Sequence, residues 1–237
     1  MAKTSKKNKT TDTAAKKGSK TLVTLLLDRS GSMQMIKNDT IGGVNAYVES
    51  LKDGVAAGGD TRFSLVLFDA EYRVGMNLET IHQAVKVQDV PPLTAETYVP
   101  RGGTPLIDAA VTTIHAVAAS VAERPDVKVV IAIQTDGDER DSRENTWDGL
   151  KALIAEKEAA GWQFIFMGAG IDAYAQGARM GLNAGKILSY GTDKAATAAA
   201  FRATGLNTAA YASGAMADTS YTPAQKLAAG DTYDDRT

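Results

Sequence analysis

The chain contains no cysteine. That removes disulfide scaffolds, thiolate nucleophiles, zinc–thiolate sites and cysteine-held iron–sulfur clusters from consideration. Histidine is nearly absent as well, with only His82 and His115, so a proton-transfer site built on imidazole has little to draw on. No apolar run approaches the ~20 residues that span a bilayer, and no membrane contact is expected. The N-terminus is charged but has no apolar stretch and cleavage site after it, unlike a signal peptide. The expected location is the cytoplasm, or a particle assembled there.

The net charge of −2 conceals an asymmetry. The first twenty residues hold seven Lys and one Asp, a net +6, which leaves 19 basic against 27 acidic residues, or −8, on the remainder. A basic arm on an acidic body is compatible with contact to nucleic acid or another anionic surface. The preferred reading is a disordered solubilising tail, since residues 1–20 carry no aromatic side chain for base stacking. With 237 residues, 44% of them hydrophobic, the rest of the chain suffices for one ordinary globular domain with tails.

What is present is organised around Leu22-Val-Thr-Leu-Leu-Leu-Asp28-Arg-Ser30-Gly-Ser32-Met33. An apolar run ends abruptly in a carboxylate, two hydroxyls and a glycine. Continuous apolarity suits a parallel strand covered on both faces, and the polar cluster would then lie at its C-terminal end, where open α/β sheets bind ligands. Asp-x-Ser-x-Ser supplies only oxygen donors, the ligands that hard divalent cations such as magnesium require.

The remaining pattern alternates strand and helix. The first strand is expected at 21–27, then a helix at about 40–57 on the spacing of Val44, Tyr47, Val48, Leu51 and Val55, ended by Gly58-Gly59. Arg62–Phe68 reads as a strand, with a turn near Asp69-Ala70 and a short antiparallel strand at Tyr72–Val74 forming a sheet edge. A short helix near 78–85 is expected before Pro91-Pro92. Thr104-Pro105 reads as an N-cap followed by a first helical residue. Strand 128–133, helix 145–160, strand 163–167, helix 172–180, edge strand 186–190 and an Ala-rich helix from Asp193 follow. From about 216 the chain is small and polar and is expected to fray. The predicted architecture is α/β, a Rossmann-like doubly wound, mostly parallel central sheet with one antiparallel edge strand and helices on both faces. Its expected divisions are a Lys-rich arm at 1–20, one domain at 21–215 and a polar tail at 216–237.

Three loops of this sheet are rich in oxygen donors and glycine: Asp28-Arg-Ser30-Gly-Ser32, Gly102-Gly103-Thr104, and Thr135-Asp136-Gly137. Loops at the carboxyl ends of adjacent central strands converge on one crevice. In these residues the chain resembles von Willebrand factor type A (VWA) domains with a metal-ion-dependent adhesion site. That family's pattern is Asp-x-Ser-x-Ser, then Thr, then Asp, each on its own loop, and all five positions are filled here. The surrounding Tyr98-x-Pro-Arg-Gly-Gly-Thr-Pro-Leu-Ile-Asp108-Ala is most like stand-alone bacterial and phage members, over about residues 20–190. The resemblance implies that Ser30, Ser32 and Thr104 provide hydroxyl ligands, and that Asp28 and Asp136 hold the metal directly or through water. The metal would be Mg2+, with Mn2+ or Ca2+ as alternatives. It also implies a non-enzymatic module that recognises an exposed Asp or Glu of a protein partner, with an AAA+ ATPase or its substrate among the partners such relatives have.

Each feature has a plainer reading. Asp28-x-Ser-x-Ser alone could form an Asx or Ser turn, Thr104 could be only an N-cap, and Asp136 only a turn residue. Asp108 reads as a structural carboxylate favoured by a helix dipole. Asp138 and Asp141 read as solvated loop charges, with framing of the site as the lesser alternative. Gly168-Ala169-Gly170-Ile171-Asp172-Ala173 imitates a dinucleotide fingerprint, but it lies late in the chain and no acidic residue ends a following strand. Phe201, Leu206 and Tyr211 suggest packing or a partner surface. Two rival functions remain. One is a structural or assembly protein, virion-associated for example, with a stabilising metal and a basic arm contacting nucleic acid or a neighbouring subunit. The other is a metal-dependent phosphohydrolase, against which stand the Ser at position 30, where an aspartate-nucleophile enzyme needs a second Asp, and the want of a base other than Asp136.

Overall fold

The computed structural model describes residues 19–54 and 59–234. The expected nucleic-acid arm, apart from its last two residues, lies outside the described residues. So does most of the stretch on which the first helix was expected to end, although Gly59 is described. Lys20, placed in the arm by composition, instead opens the first strand, β1 (Lys20–Asp28).

β1 is the centre of a six-stranded sheet. β2 (Asp60–Glu71) and β4 (Val127–Thr135) flank it, both parallel to it. β3 (Gly75–Lys86) extends the sheet beyond β2 as its single antiparallel member, and β5 (Gln163–Ala169) and β6 (Ile187–Tyr190) extend it beyond β4, giving the order β3-β2-β1-β4-β5-β6. The apolar run of β1 is explained by burial on both faces. Val23, Leu25 and Leu27 enter one core with helices α1 (Lys37–Gly54) and α5 (Lys194–Ser213). Leu22 and Leu26 enter a second core with α2 (Leu106–Val121), α3 (Trp147–Ala159) and α4 (Ala173–Arg179). The doubly wound architecture expected from the alternation of elements is therefore the one observed. Among the described residues no helix is long and apolar enough to cross a membrane.

Three expectations are corrected. The segment 78–85 is not helical but lies within β3, paired with β2 through Leu65↔His82 and Phe68↔Leu78. Register shifts between Phe63 and Val66, with Ala84 at φ 49°, mark a bulge there. The hairpin turn also falls later than expected. Asp69 and Ala70 remain in the ladder opposite Asn77 and Met76, and the chain reverses at Tyr72–Val74, with Arg73 at φ 68°.

The third correction concerns the tail. Up to residue 234 it does not fray, but packs over the β6 edge. Tyr221 is buried and its hydroxyl lies 2.7 Å from that of Thr204. A sixth helix, α6 (Pro223–Ala228), begins with a reciprocal capping box between Thr222 and Gln225. Asp231 accepts hydrogen bonds from the Tyr174 hydroxyl at 2.7 Å and from the Ser189 amide at 3.2 Å. Of the three apolar residues noted in the Ala-rich segment, Phe201 and Tyr211 are core, whereas Leu206 is half exposed. α5 approaches α1 closely because glycine permits it. A Cβ on Gly43 would lie 2.4 Å from the Phe201 ring, and one on Gly205 2.9 Å from the Tyr47 carbonyl oxygen.

Candidate metal site

β1 and β4 are parallel neighbours whose following connections run to opposite sides of the sheet. Their carboxyl ends therefore form the topological switch point at which α/β sheets open a crevice. Asp28 ends β1 and Thr135 ends β4. The Asp28 carboxylate is fully buried, accepting from the Ser30 amide at 2.6 Å and from the Thr135 hydroxyl at 2.5 Å. Ser30 Oγ lies 3.1 Å from Ser32 Oγ, and the Ser32 hydroxyl donates to Asp136 at 2.7 Å.

Thr104 arrives on the third loop. Gly102 is at φ 67°, and a Cβ there would lie 2.1 Å from the Ala70 carbonyl oxygen, so only glycine fits. The loop is fixed from both sides: the Gly31 amide donates to Gly102 O at 3.0 Å and the Arg101 amide to Arg29 O at 2.7 Å. A Cβ built on Gly137 would lie 3.7 Å from Thr104 Oγ1 and 3.9 Å from Ser32 Oγ. The hydroxyls of both residues therefore face one small volume beside the β4 loop. The three loops meet, and the five sequence-predicted residues lie together.

Thr104 is not the N-cap. The helix begins at Leu106 with Pro105 as its cap residue, and its first amides are satisfied by side chains of the β4–α3 loop. Asp141 accepts from the Thr104 amide at 2.7 Å, Glu139 from Ile107 at 2.7 Å, and Ser142 Oγ from Asp108 at 3.0 Å. This leaves the Thr104 hydroxyl free of capping duty. It also corrects the reading of Asp141 as a solvated charge, since Asp141 holds the loop that carries Thr104. The signal available in the sequence was the density of acceptors in Asp136-Gly-Asp-Glu-Arg-Asp141-Ser, but nothing local says which helix they cap.

Asp108 returns the contact. It is buried and accepts from the amides of Arg143 at 2.7 Å and Asn145 at 2.8 Å, as well as from Asn145 Nδ2 at 2.9 Å. Its role is structural, as expected, but it acts through these donors to the neighbouring loop. Burial alone would raise its pKa; the converging donors outweigh burial and hold it below the ordinary value of 3.8. Stabilisation from a depressed carboxylate is present above the unfolded-state value and is lost as pH falls through the folded one. Asp108→Asn is expected to lower stability at pH 7 by about 2–3 kcal/mol and to flatten the loss of stability below pH ~4. Urea unfolding across pH checks both, and coincident midpoints at pH 7 would refute this role.

The five-residue cluster holds two carboxylates whose ionised form burial disfavours. Burial pushes the Asp28 pKa up to about 6 against the lowering effect of Thr135 and Ser30. Partial burial also raises that of Asp136, opposed by the Ser32 hydroxyl. Among the described residues neither carboxylate has a Lys or Arg ion-pair partner. No three Asp, Glu or His side chains converge on a metal position anywhere among them. The donor set is thus two carboxylates and three hydroxyls, which fits a hard cation that keeps part of its water. The two histidines do not contribute: His82 lies in the edge ladder opposite Leu65, and His115 is exposed on α2.

Sequence reasoning also missed the support beneath Arg29, the variable residue of Asp-x-Ser-x-Ser. Arg29 is 3% exposed. It donates to Asp69 from Nε at 2.7 Å, with Nη2 2.6 Å from the same oxygen in an ion pair, and it pairs with Glu79 through Nη1. Arg101 reaches the same Asp69 oxygen at 3.3 Å. With its amide oxygen turned to the two guanidiniums, Asn77 accepts from Arg29 at 2.9 Å and Arg101 at 2.8 Å. One buried carboxylate thereby ties the β1 loop, the β2–β3 hairpin and the Thr104 loop together.

The dinucleotide-like motif has a packing explanation. A Cβ on Gly168 would meet Ile171 and Ala173 within 2.8 Å, Gly170 is at φ 65°, and Asp172 caps α4 by accepting from Tyr174 and Ala175.

The family model of the von Willebrand factor type A domain matches residues 23–205, and the chain belongs to that family. Solved structures with the same fold include PTMP1 of the mussel byssus with a zinc-occupied MIDAS motif. It is 17% identical with a TM-score of 0.55, covering 78% of this chain and 47% of that one. The vWF domain of the type V pili tip protein Mfa5 from Porphyromonas gingivalis is 12% identical, with a TM-score of 0.57 over 81% and 95% of the two chains. Manganese-loaded TRAP of Plasmodium vivax is 16% identical, with a TM-score of 0.53 over 77% and 73%. The chain spans about half the length of the mussel protein. No curated protein matches it.

Proposed function

We propose that the chain is a divalent-metal-dependent protein-binding module, not an enzyme, that recognises a carboxylate of its partner. The observation that carries this reading is a partly exposed two-carboxylate, three-hydroxyl cluster with its Asp28 carboxylate buried and, among the described residues, no cationic ion-pair partner, at the switch point of a VWA sheet. Ser30, Ser32 and Thr104 would hold the metal, with Asp28 and Asp136 behind them, directly or through water. Mg2+ suits the donor set, with Mn2+ or Ca2+ as substitutes. The zinc and manganese found in the two related structures support a divalent ion in such a site. When bound, the cation supplies an electrophile that a partner's Asp or Glu can complete.

The chain's own contribution is orientation. Asp28 fixes the Ser30 amide and draws the Thr135 hydroxyl toward itself, Asp136 holds the Ser32 hydroxyl, and Asp141 holds the Thr104 loop. Neutral hydroxyls leave more charge on the cation for the partner than carboxylate ligands would. A partner of this kind, whether an AAA+ ATPase, its substrate or another protein, must present an exposed carboxylate.

The test is a pull-down with immobilised full-length chain in Mg2+ or Mn2+, with and without chelator. Retention is expected only with metal, and Asp→Asn or Glu→Gln substitution of the captured partner's contact residue is expected to weaken binding at least tenfold. Retention that ignores chelator would overturn the reading.

A further inference from the structure

The loop that carries Asp136 has a support that the five-residue cluster does not explain. Thr135 has one hydroxyl proton and two acceptors for it, Asp28 at 2.5 Å and the Gly137 carbonyl oxygen at 3.2 Å. A second donor reaches that carbonyl. Gln176, on α4, donates from Nε2 to Gly137 O at 3.2 Å and to the Asp138 carboxylate at 3.3 Å. With Gly137 O supplied by Gln176, the Thr135 proton is left for Asp28. Gln176 itself is 6% exposed, and its Oε1 has no hydrogen-bond partner. A buried acceptor left unsatisfied costs stability that an apolar side chain of the same length would not. Packing therefore does not account for glutamine at this position, whereas the two donors of its amide do.

α4 is held in turn by the C-terminal segment. Tyr174 precedes Gln176 by two residues, and helical side chains so spaced do not face each other. The Tyr174 hydroxyl donates to Asp231 at 2.7 Å and lies 3.1 Å from Asp234. The Lys226 ammonium stands 5.1 Å from the centre of the Tyr174 ring, pairs with Asp234 and donates to the Ala184 carbonyl oxygen at 3.0 Å. The Gly191 amide donates to Ala229 O at 3.0 Å. Residues 221–234 thus form a strap from the end of β6 to α4, and they lie beyond the residues 23–205 that the family model matches. α4 is also seated on β6 itself. Ser189 Oγ accepts the Ala173 amide at 2.9 Å, and a Cβ on Gly177 would lie 2.5 Å from Ile187.

We propose that Gln176 is a positioning residue of the metal site, and that the C-terminal strap, acting through Tyr174 and α4, keeps it against the Asp136 loop. The proposal rests on the metal-dependent reading above and adds a control to it. With the strap seated, Gln176 occupies the Gly137 carbonyl and the Thr135 proton belongs to Asp28, which fixes that carboxylate. With the strap lifted, α4 loses an anchor, Gly137 O competes for the Thr135 proton, and metal affinity falls.

The test uses the full chain. Mn2+ is titrated calorimetrically into wild type and variants, and amide hydrogen exchange is followed by NMR in the metal-free proteins. Gln176→Met keeps the length of the side chain while removing its donors and its unsatisfied oxygen, so its metal-free Tm is expected within about 3 °C of wild type. Its Kd for Mn2+ is expected to rise about tenfold, the scale on which groups that orient metal-holding side chains act, and its Gly137 amide should exchange faster. Tyr174→Phe, which removes only the hydroxyl, should do the same in smaller measure. The double variant should bind no more weakly than Gln176→Met alone, because both substitutions act on one route. An unchanged Kd in Gln176→Met or in Tyr174→Phe would overturn the proposal, as would losses that add in the double variant. So would a metal-free Tm lowered by more than about 5 °C in Gln176→Met, which marks a general loosening of the fold. Failure of the wild type to bind Mn2+ is a different result, which removes the metal reading and this proposal with it.

Discussion

Asp28→Ala is expected to abolish the thermal response of this protein to divalent metal. At a Mg2+ or Mn2+ concentration a hundred times Kd, binding to the folded state alone stabilises it by about 2.7 kcal/mol. In a domain of this size that raises Tm by roughly 5–10 °C. The wild type should show that rise and lose it to chelator, while the variant should show none. Without metal the two should differ by no more than about 5 °C, because the substitution has opposing effects. It removes the acceptor of the Ser30 amide, but it also removes a fully buried carboxylate whose pKa burial has pushed up to about 6. The Thr135 hydroxyl keeps the Gly137 carbonyl oxygen as an acceptor at 3.2 Å. Asp28→Asn, which preserves the shape, separates loss of charge from loss of packing. An undiminished metal response in both variants would sink the metal assignment, whatever the family pattern implies.

The second large effect is one of stability. The Arg29–Asp69 pair is buried on both sides, with side-chain exposures of 4% and 0%. Breaking a buried pair by removing one partner costs about 3–5 kcal/mol, because the other charge loses its main partner, and here Glu79 or Arg101 replaces it only in part. Arg29→Met or Asp69→Ala is therefore expected to lower Tm by roughly 6–20 °C. The double variant Arg29→Met/Asp69→Leu should lose clearly less than the sum, since a well-packed apolar pair avoids the desolvation that the ions suffer. Metal affinity should fall in the single variants too, because Asp69 anchors both the loop of Ser30 and, through Arg101, the loop of Thr104. Urea unfolding and a metal titration check the two claims separately. Single-variant losses below about 1 kcal/mol would show the network to be no more than a surface ornament of the hairpin.

Parts of this protein were legible in one dimension because local chemistry settles them. The apolar run of β1 had to be buried on both faces, and the alternation of such runs with helical spacing led to a doubly wound sheet, including its single antiparallel edge. The oxygen-donor types of the candidate metal cluster were equally plain, since Asp28, Ser30, Ser32, Thr104 and Asp136 stand at or near element ends, where α/β sheets expose their loops. The segment at 78–85 misled for a physical reason. Leu78, Ile81 and Val85 are spaced as on a helix face, but in β3 they serve two cores, Leu78 on the α2 side of the sheet and Ile81 and Val85 on the α1 side. Only pairing with β2 decides between the two.

The sequence by itself determined the sheet's core and the chemistry of the donors, because burial periodicity and side-chain type are properties of short stretches. Tertiary structure alone decided what holds those donors in place. Arg29 meets Asp69 across 40 residues of chain, and Asp141 meets the Thr104 amide across 37. The polar tail beyond 216 gains its order from Tyr221 and Asp231 against β6 and its neighbours. Each of these is a polar contact between distant segments, and a polar residue carries no periodicity that says whether water or a partner will satisfy it. The opposite outcome, a buried hydroxyl that nothing satisfies, as at Thr24 and Thr113, is just as invisible until the chain has folded around it.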